Sequence, residues 1–283
     1  MFVHRKKNKT AGRTTEGFCQ TEEAQPETDQ QAQPLLEDQN VTRKILMIAS
    51  NAATSPVTGW PIGFWWAELT HPWMTFNAAG YSVDIASPYG GDLLGDGYSD
   101  PEDESGYSAD DLISLGFKKS PKHSALLTNT KKLSDVDWRD YDAIMIIGGQ
   151  GPMVTMYNDL VLQKFFADAY EAGKVVCAIC HGTCVLLKTK LSDGSLLIKG
   201  KTWTGFANSE EAFAEQAAGM KIQPFWIESE ARQNDETNFI VAQRFAPFAL
   251  RDGNLITGQQ QHSGVPAANL KIEAMGKSHL SVV

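Results

Sequence analysis

Short apolar runs recur along this chain, spaced so that a helix fits between them. Lys44-Ile-Leu-Met-Ile-Ala49 reads as a buried strand, and Tyr81-Ser-Val-Asp-Ile-Ala86, closed by Ser87-Pro88, as a second. Residues Phe64 to Ala79 between them have helical length and stop at Gly80. Asp142-Ala-Ile-Met-Ile-Ile147 and Lys174-Val-Val-Cys-Ala-Ile179 are the third and fourth strands, with a helix over Asp159–Ala172 stopped by Gly173. A helix-like stretch runs from Cys180 to about Lys188, and a further helix covers Asn208–Ala218. A late strand covers Asn254–Thr257, and a last helix, Val265–Met275, carries Pro266 in its first turn. Strands alternating with helices imply parallel neighbours, hence an α/β fold with a doubly wound, mostly parallel sheet flanked by helices. Ligands of such sheets bind beyond the carboxyl ends of the strands, so reactive side chains and glycines there are the candidates.

Composition changes the picture mainly at the N-terminal end. Residues 1–42 begin basic (Arg5, Lys6, Lys7, Lys9, Arg13) and continue as a Gln/Glu/Thr/Pro run with almost nothing to bury. They are expected to form a disordered arm ahead of one α/β domain over residues 43–283. No apolar segment follows the basic stretch, so a secretory signal is not expected, and the lack of serine there argues against a transit peptide. Of the 283 residues 42% are hydrophobic, enough for a packed core, and no run nears the ~20 residues needed to span a bilayer. The formal charge of −9 disfavours nucleic acid and anionic membranes as partners. Four cysteines do not make a secreted disulfide scaffold, so a reducing, cytoplasmic setting is expected. Asp92, Asp96, Asp100, Glu102 and Asp103 lack calcium-loop spacing and are expected to lie in a solvated loop over residues 89–111.

The candidate chemistry centres on Cys180, which directly follows a strand and precedes a helix-like stretch. Such a turn lifts a side chain out of the sheet, as in the nucleophile elbow of serine hydrolases. A helix start beneath the sulfur is expected to favour thiolate. Cys177 and Cys180 form a C-x-x-C, but residues three apart on a strand face opposite ways, and no second pair completes a zinc site. Cys177 and Cys184 are read as core residues, and neither a metal nor a cofactor is expected. His181 is a candidate proton carrier. Glu210 and Glu211 could orient it, although on sequence alone both read more readily as surface residues near an Asn208 or Ser209 cap. Glu68, among Trp65, Trp66 and Leu69, is either solvent-facing or buried with a raised pKa. Gly148-Gly149-Gln150-Gly151 fits neither phosphate-loop pattern and suits close backbone approach to a substrate oxygen.

Taken in order, several segments resemble the ThiJ/PfpI superfamily, within the flavodoxin-like, class I glutamine-amidotransferase-like fold. They are the Glu68 window through Pro72, Ala86-Ser87-Pro88, Gly148 to Gly151, Ala178-Ile-Cys180-His181-Gly182, Gly200 to Phe206 with Glu211 following, and Asp252 to Gln259. The closer resemblance is to its branch of glyoxalase III-like proteins and heat-shock chaperones. The resemblance implies Cys180 as nucleophile, His181 as its acid/base, Glu211 (with Glu210 as fallback) as the acidic third member, and Glu68 as the carboxylate touching the thiol. It implies an oxyanion site at the glycine loop, with Gly148, Gly149 and Gly151 at the substrate and N–H groups from Gly149 and His181. The implied reaction is conversion of methylglyoxal, or another small 2-oxoaldehyde, to lactate by a lyase of the D-lactate dehydratase type, in stress defence. Other cysteine chemistry of the superfamily (deglycase, amidase, isonitrile hydratase) and a chaperone or redox-sensor role are the rivals, and homodimers are common among its members. Gln150, Thr183 and Gln259-Gln-Gln-His262-Ser depart from the family's usual residues at the pocket rim.

Overall fold

The computed structural model describes residues 42–276. The arm expected over residues 1–42 therefore lies, save for its last residue, outside the described residues.

A seven-stranded sheet runs in the order Ala249–Asp252, Leu255–Gly258, Val175–Ile179, Ala143–Ile146, Lys44–Ile48, Ser82–Ser87, Lys131–Lys132. All neighbours are parallel except the first two, an antiparallel hairpin at one edge. The sequence pattern shows only the second strand of that hairpin, because Ala249–Asp252 is half-exposed and lacks an apolar run. The apolar runs are unbroken because both faces of the parallel strands are covered. Leu46, Ile48, Ile144, Ile146, Val176 and Ala178 face one core with the Leu160–Glu171 helix. Ile45, Met47, Met145, Cys177 and Ile179 face the other, with the Trp66–Ala78 and Gly264–Met275 helices.

The chain winds outward from Lys44–Ile48 to Ser82–Ser87 and Lys131–Lys132, then returns to Ala143–Ile146 on the opposite side. The winding direction switches there, which opens a crevice at the carboxyl ends of the central strands. Gly148 and Cys180 both sit at that edge, each just past a central strand.

The 89–111 segment departs from expectation. Much of it is exposed, and its acids are engaged locally: Asp100 and Glu102 pair with Lys118 and Lys119, and Asp92 accepts the Asn129 N–H. Asp96, however, is fully buried. Its carboxylate accepts N–H groups from Gly63 at 2.8 Å and Gln150 at 2.6 Å, tying this segment to the glycine loop. Beyond it, Leu112–Lys119 is a helix with no expectation from the sequence, capped by Asp111 accepting the Ser114 N–H. No helix among the described residues is long and apolar enough to cross a membrane.

Candidate active site

Ile179 is extended, and Cys180 then turns to φ +52°, the left-handed region that a non-glycine residue occupies at a cost of about 1–2 kcal/mol. That strained turn separates the strand from a 3-10 helix over Cys180–Leu187, which replaces the helix-like stretch expected there. Thr183 donates its hydroxyl to the Cys180 carbonyl at 2.6 Å and braces the elbow. Gly182 permits the fold-back: a Cβ there would lie 2.9 Å from the Ile147 carbonyl oxygen.

Four side chains expected from the sequence meet at this elbow. His181 Nδ1 lies 3.5 Å from Cys180 Sγ, and its Nε2 is 2.9 Å from Glu211 Oε1. The imidazole stacks on Phe206, with centroids 4.2 Å apart. Glu68 Oε2 accepts the Gly148 N–H at 2.9 Å, and the carboxyl group lies beside Cys180, both bordering the space over the Gly148 Cα. Its other oxygen, Oε1, is buried with no hydrogen-bond partner. Cys180 and His181 keep 3% and 5% exposure, while Glu68 is wholly buried, which settles the choice between buried and solvent-facing.

Glu210 and Glu211 are also buried, against the surface reading favoured by sequence alone. The cap residue of the Asn208–Ala218 helix is Ala207, whose N–H donates to Glu210 at 2.9 Å. Glu210 further accepts from Phe245 N–H and Gln259 Nε2 at 2.9 and 2.8 Å, so it knits loops together, whereas Glu211 reaches the imidazole. Gln259, one of the departures from the family pattern, thus serves as a partner for Glu210.

The glycine loop is used unevenly. The Gly149 and His181 N–H groups are near enough to the Cys180 sulfur to favour its ionised form. The Gly148 N–H is held by Glu68 and the Gly151 N–H by the Gly63 carbonyl at 2.8 Å, so neither is free for an oxyanion. Their role is spatial. A Cβ on Gly148 would press on Glu68 Oε2 and lie 2.7 Å from Cys180 Cβ, and Gly149 adopts φ +105°.

The electrostatics bear on the thiolate expectation. Burial, then the neighbouring Glu68, push the Cys180 thiol well above its ordinary value, and the His181 and Gly149 N–H groups offset this only in part. Burial likewise raises Glu68, from 4.5 to about 7, against the lowering influence of Cys180 and the Gly148 N–H. Two neighbouring acids that are each raised are coupled: the sulfur ionises readily only while Glu68 carries the proton. Asp96, expected from the sequence in a solvated loop, is raised from 3.8 to about 7, chiefly by burial. Burial alone lowers His181, but Glu211 and then Glu68 and Asp96 more than reverse this, and its pKa is raised.

Above the sulfur opens a cavity of about 330 Å³, lined by Cys180, His181 and Glu211 and also by Gln150 and Gln261. Cys177 lies on the opposite sheet face, its thiol pushed up to about 11 by burial, and Cys184 is buried in the core on the elbow's side. Among the described residues no group of three His, Cys, Asp or Glu side chains could hold a metal ion.

Comparison with known proteins gives the geometry its context. The model of the DJ-1/PfpI family matches residues 63–272. Glyoxalase 3 of Candida albicans is 28% identical over 83% of this chain and 98% of its own length. A glutathione-independent glyoxalase of Saccharomyces cerevisiae is 26% identical, over 75% of this chain and 89% of its own. The crystal structure of glyoxalase III from Candida albicans superposes with a TM-score of 0.68 at 27% identity, covering 82% of this chain and 97% of that one.

Proposed function

The chain belongs to the DJ-1/PfpI family, and on that premise we propose that it is a glutathione-independent glyoxalase of the glyoxalase III type. It converts methylglyoxal and related 2-oxoaldehydes to lactate and the corresponding 2-hydroxy acids. The observation that carries this reading is the strained Cys180, beside buried Glu68 and 3.5 Å from an imidazole that Glu211 orients, at the wall of a cavity.

In this mechanism the Cys180 proton passes to Glu68, whose raised pKa lets it hold a proton near neutrality. The sulfur adds to the aldehyde carbon and gives a hemithioacetal. The oxygen beside the new C–S bond comes within reach of the Gly149 and His181 N–H groups that already lie near the sulfur. His181 lines the cavity and Glu68 does not, so the imidazole carries the hydrogen from the aldehyde carbon to the ketone carbon through an enediol. The result is a thioester, which water hydrolyses to the hydroxy acid, returning the thiol. The aldehyde carbon loses the hydrogen that the ketone carbon gains, so no outside electron acceptor is consumed.

Three unpaired cysteines among the described residues suit a reducing compartment, and we place the enzyme in the cytoplasm, with a homodimer as its proposed assembly. The functional test is lactate formation from methylglyoxal without glutathione, and its loss in Cys180→Ala with the far-ultraviolet spectrum unchanged. A folded wild-type protein that yields no lactate ends this reading.

A further inference from the structure

Methylglyoxal is small for the space above Cys180. A cavity of about 330 Å³ falls at the lower end of the roughly 300–1,000 Å³ typical of sites that enclose ligands far larger than a three-carbon aldehyde. Its walls are aromatic. Along one side Trp60, Tyr98, Tyr107 and Trp65 form a continuous chain, with successive ring centroids 6.2, 6.2 and 6.1 Å apart and the last two pairs edge-to-face. On another side Phe213 and Phe245 meet edge-to-face at 5.4 Å. Tyr107 and Phe213 remain 55% and 41% exposed, a large apolar surface left open to water beside a reactive sulfur. The Asn208–Ala218 helix lines the cavity with Ala214, Ala217 and Ala218, whose short side chains leave room for a bulky group. No lysine or arginine is among the lining residues, while Glu211 is, so nothing there draws an anionic substituent.

We infer, resting on the glyoxalase reading, that the preferred substrates are 2-oxoaldehydes carrying a bulky, uncharged, aromatic group on the ketone carbon. The aldehyde carbon sits on the sulfur, and the ring lies between the aromatic walls in the edge-to-face contacts these side chains already make with one another. The chemistry is the same. An arylglyoxal takes up one water and becomes the 2-aryl-2-hydroxy acid, through a Cys180 hemithioacetal and thioester, with the hydrogen moved from the aldehyde carbon to the ketone carbon.

The test compares phenylglyoxal with methylglyoxal on the full-length protein. Because phenylglyoxal also modifies arginine, mandelate formation is followed rather than loss of substrate. The expected kcat/KM for phenylglyoxal exceeds that for methylglyoxal by about tenfold or more, the scale set by added apolar groups in a fitted pocket. Tyr107→Ala with Phe213→Ala should bring that ratio down severalfold. Ala217→Phe, which fills the cavity from the helix side, should lower it independently and covers the case in which the double variant folds poorly. Equal or faster turnover of methylglyoxal, or a ratio indifferent to both changes, overturns the inference and leaves the glyoxalase reading standing. A folded protein that turns over neither aldehyde removes both.

Discussion

Glu68→Gln is expected to make the protein more stable at alkaline pH and slower at its chemistry. Burial raises the Glu68 pKa from 4.5 to about 7. A group raised in this way contributes stability that is fully present below about 4.5 and is lost as pH rises through about 7, because the folded chain there still binds a proton that the unfolded chain has released. At about 1.4 kcal/mol per pKa unit the loss is on the order of 3 kcal/mol. Glutamine imitates the protonated acid: its carbonyl can keep the Gly148 N–H and its amide can face the sulfur. The variant should therefore hold at about pH 8 what the wild type loses, and gain on the order of 3 kcal/mol relative to the comparison at about pH 4. Asp96, raised from 3.8 to about 7, has its own slope in both proteins, so the pH dependence weakens without vanishing. Urea unfolding across this range measures the effect. The same substitution removes a charge that holds the Cys180 thiol up, so iodoacetamide should alkylate Cys180 faster at neutral pH even as turnover falls about a hundredfold. A variant with the wild-type pH slope, or one less stable at about pH 8, would refute the reasoning.

Two further outcomes follow from the same geometry. Glu211→Gln removes the charge that keeps His181 raised and leaves burial to lower it. The imidazole titration, read by NMR or from the acid limb of kcat/KM, should move to lower pH, with about a tenfold or greater fall in kcat. Asp96→Ala strands the N–H groups of Gly63 and Gln150 and should cost on the order of 3 kcal/mol in chemical denaturation.

The sheet was legible in the sequence because parallel strands buried on both faces must be apolar along their length, as Lys44–Ile48 and Val175–Ile179 are. The elbow was legible because Cys180 stands where such a strand ends. What escaped depends on distant parts of the chain. Glu210 and Glu211 in a first helical turn read equally well as surface residues favoured by the helix dipole. They are buried because Phe245, Gln259 and His181 close over them from elsewhere. Asp96 was read as one solvated acid among several. Its one local sign is the glycine on either side: a Cβ at Gly95 would press on the Trp66 indole, 2.6 Å from its Cδ1, so the backbone there must pass close to the core. The thiolate expectation rested on a helix start beneath the sulfur, and Glu68 was placed at the thiol only by the family resemblance, since no local pattern shows which way its side chain turns.

The Asn208–Ala218 helix carries Glu211 in its first turn and alanines 214, 217 and 218 on the stretch that borders the cavity. Catalysis and selectivity thus ride on one rigid rod, at separate addresses. Exchanging those alanines for larger residues narrows the space without disturbing the carboxylate that steadies the imidazole. Descendants of such a scaffold can drift from one aldehyde to another in single mutational steps while the reactive machinery stays in place.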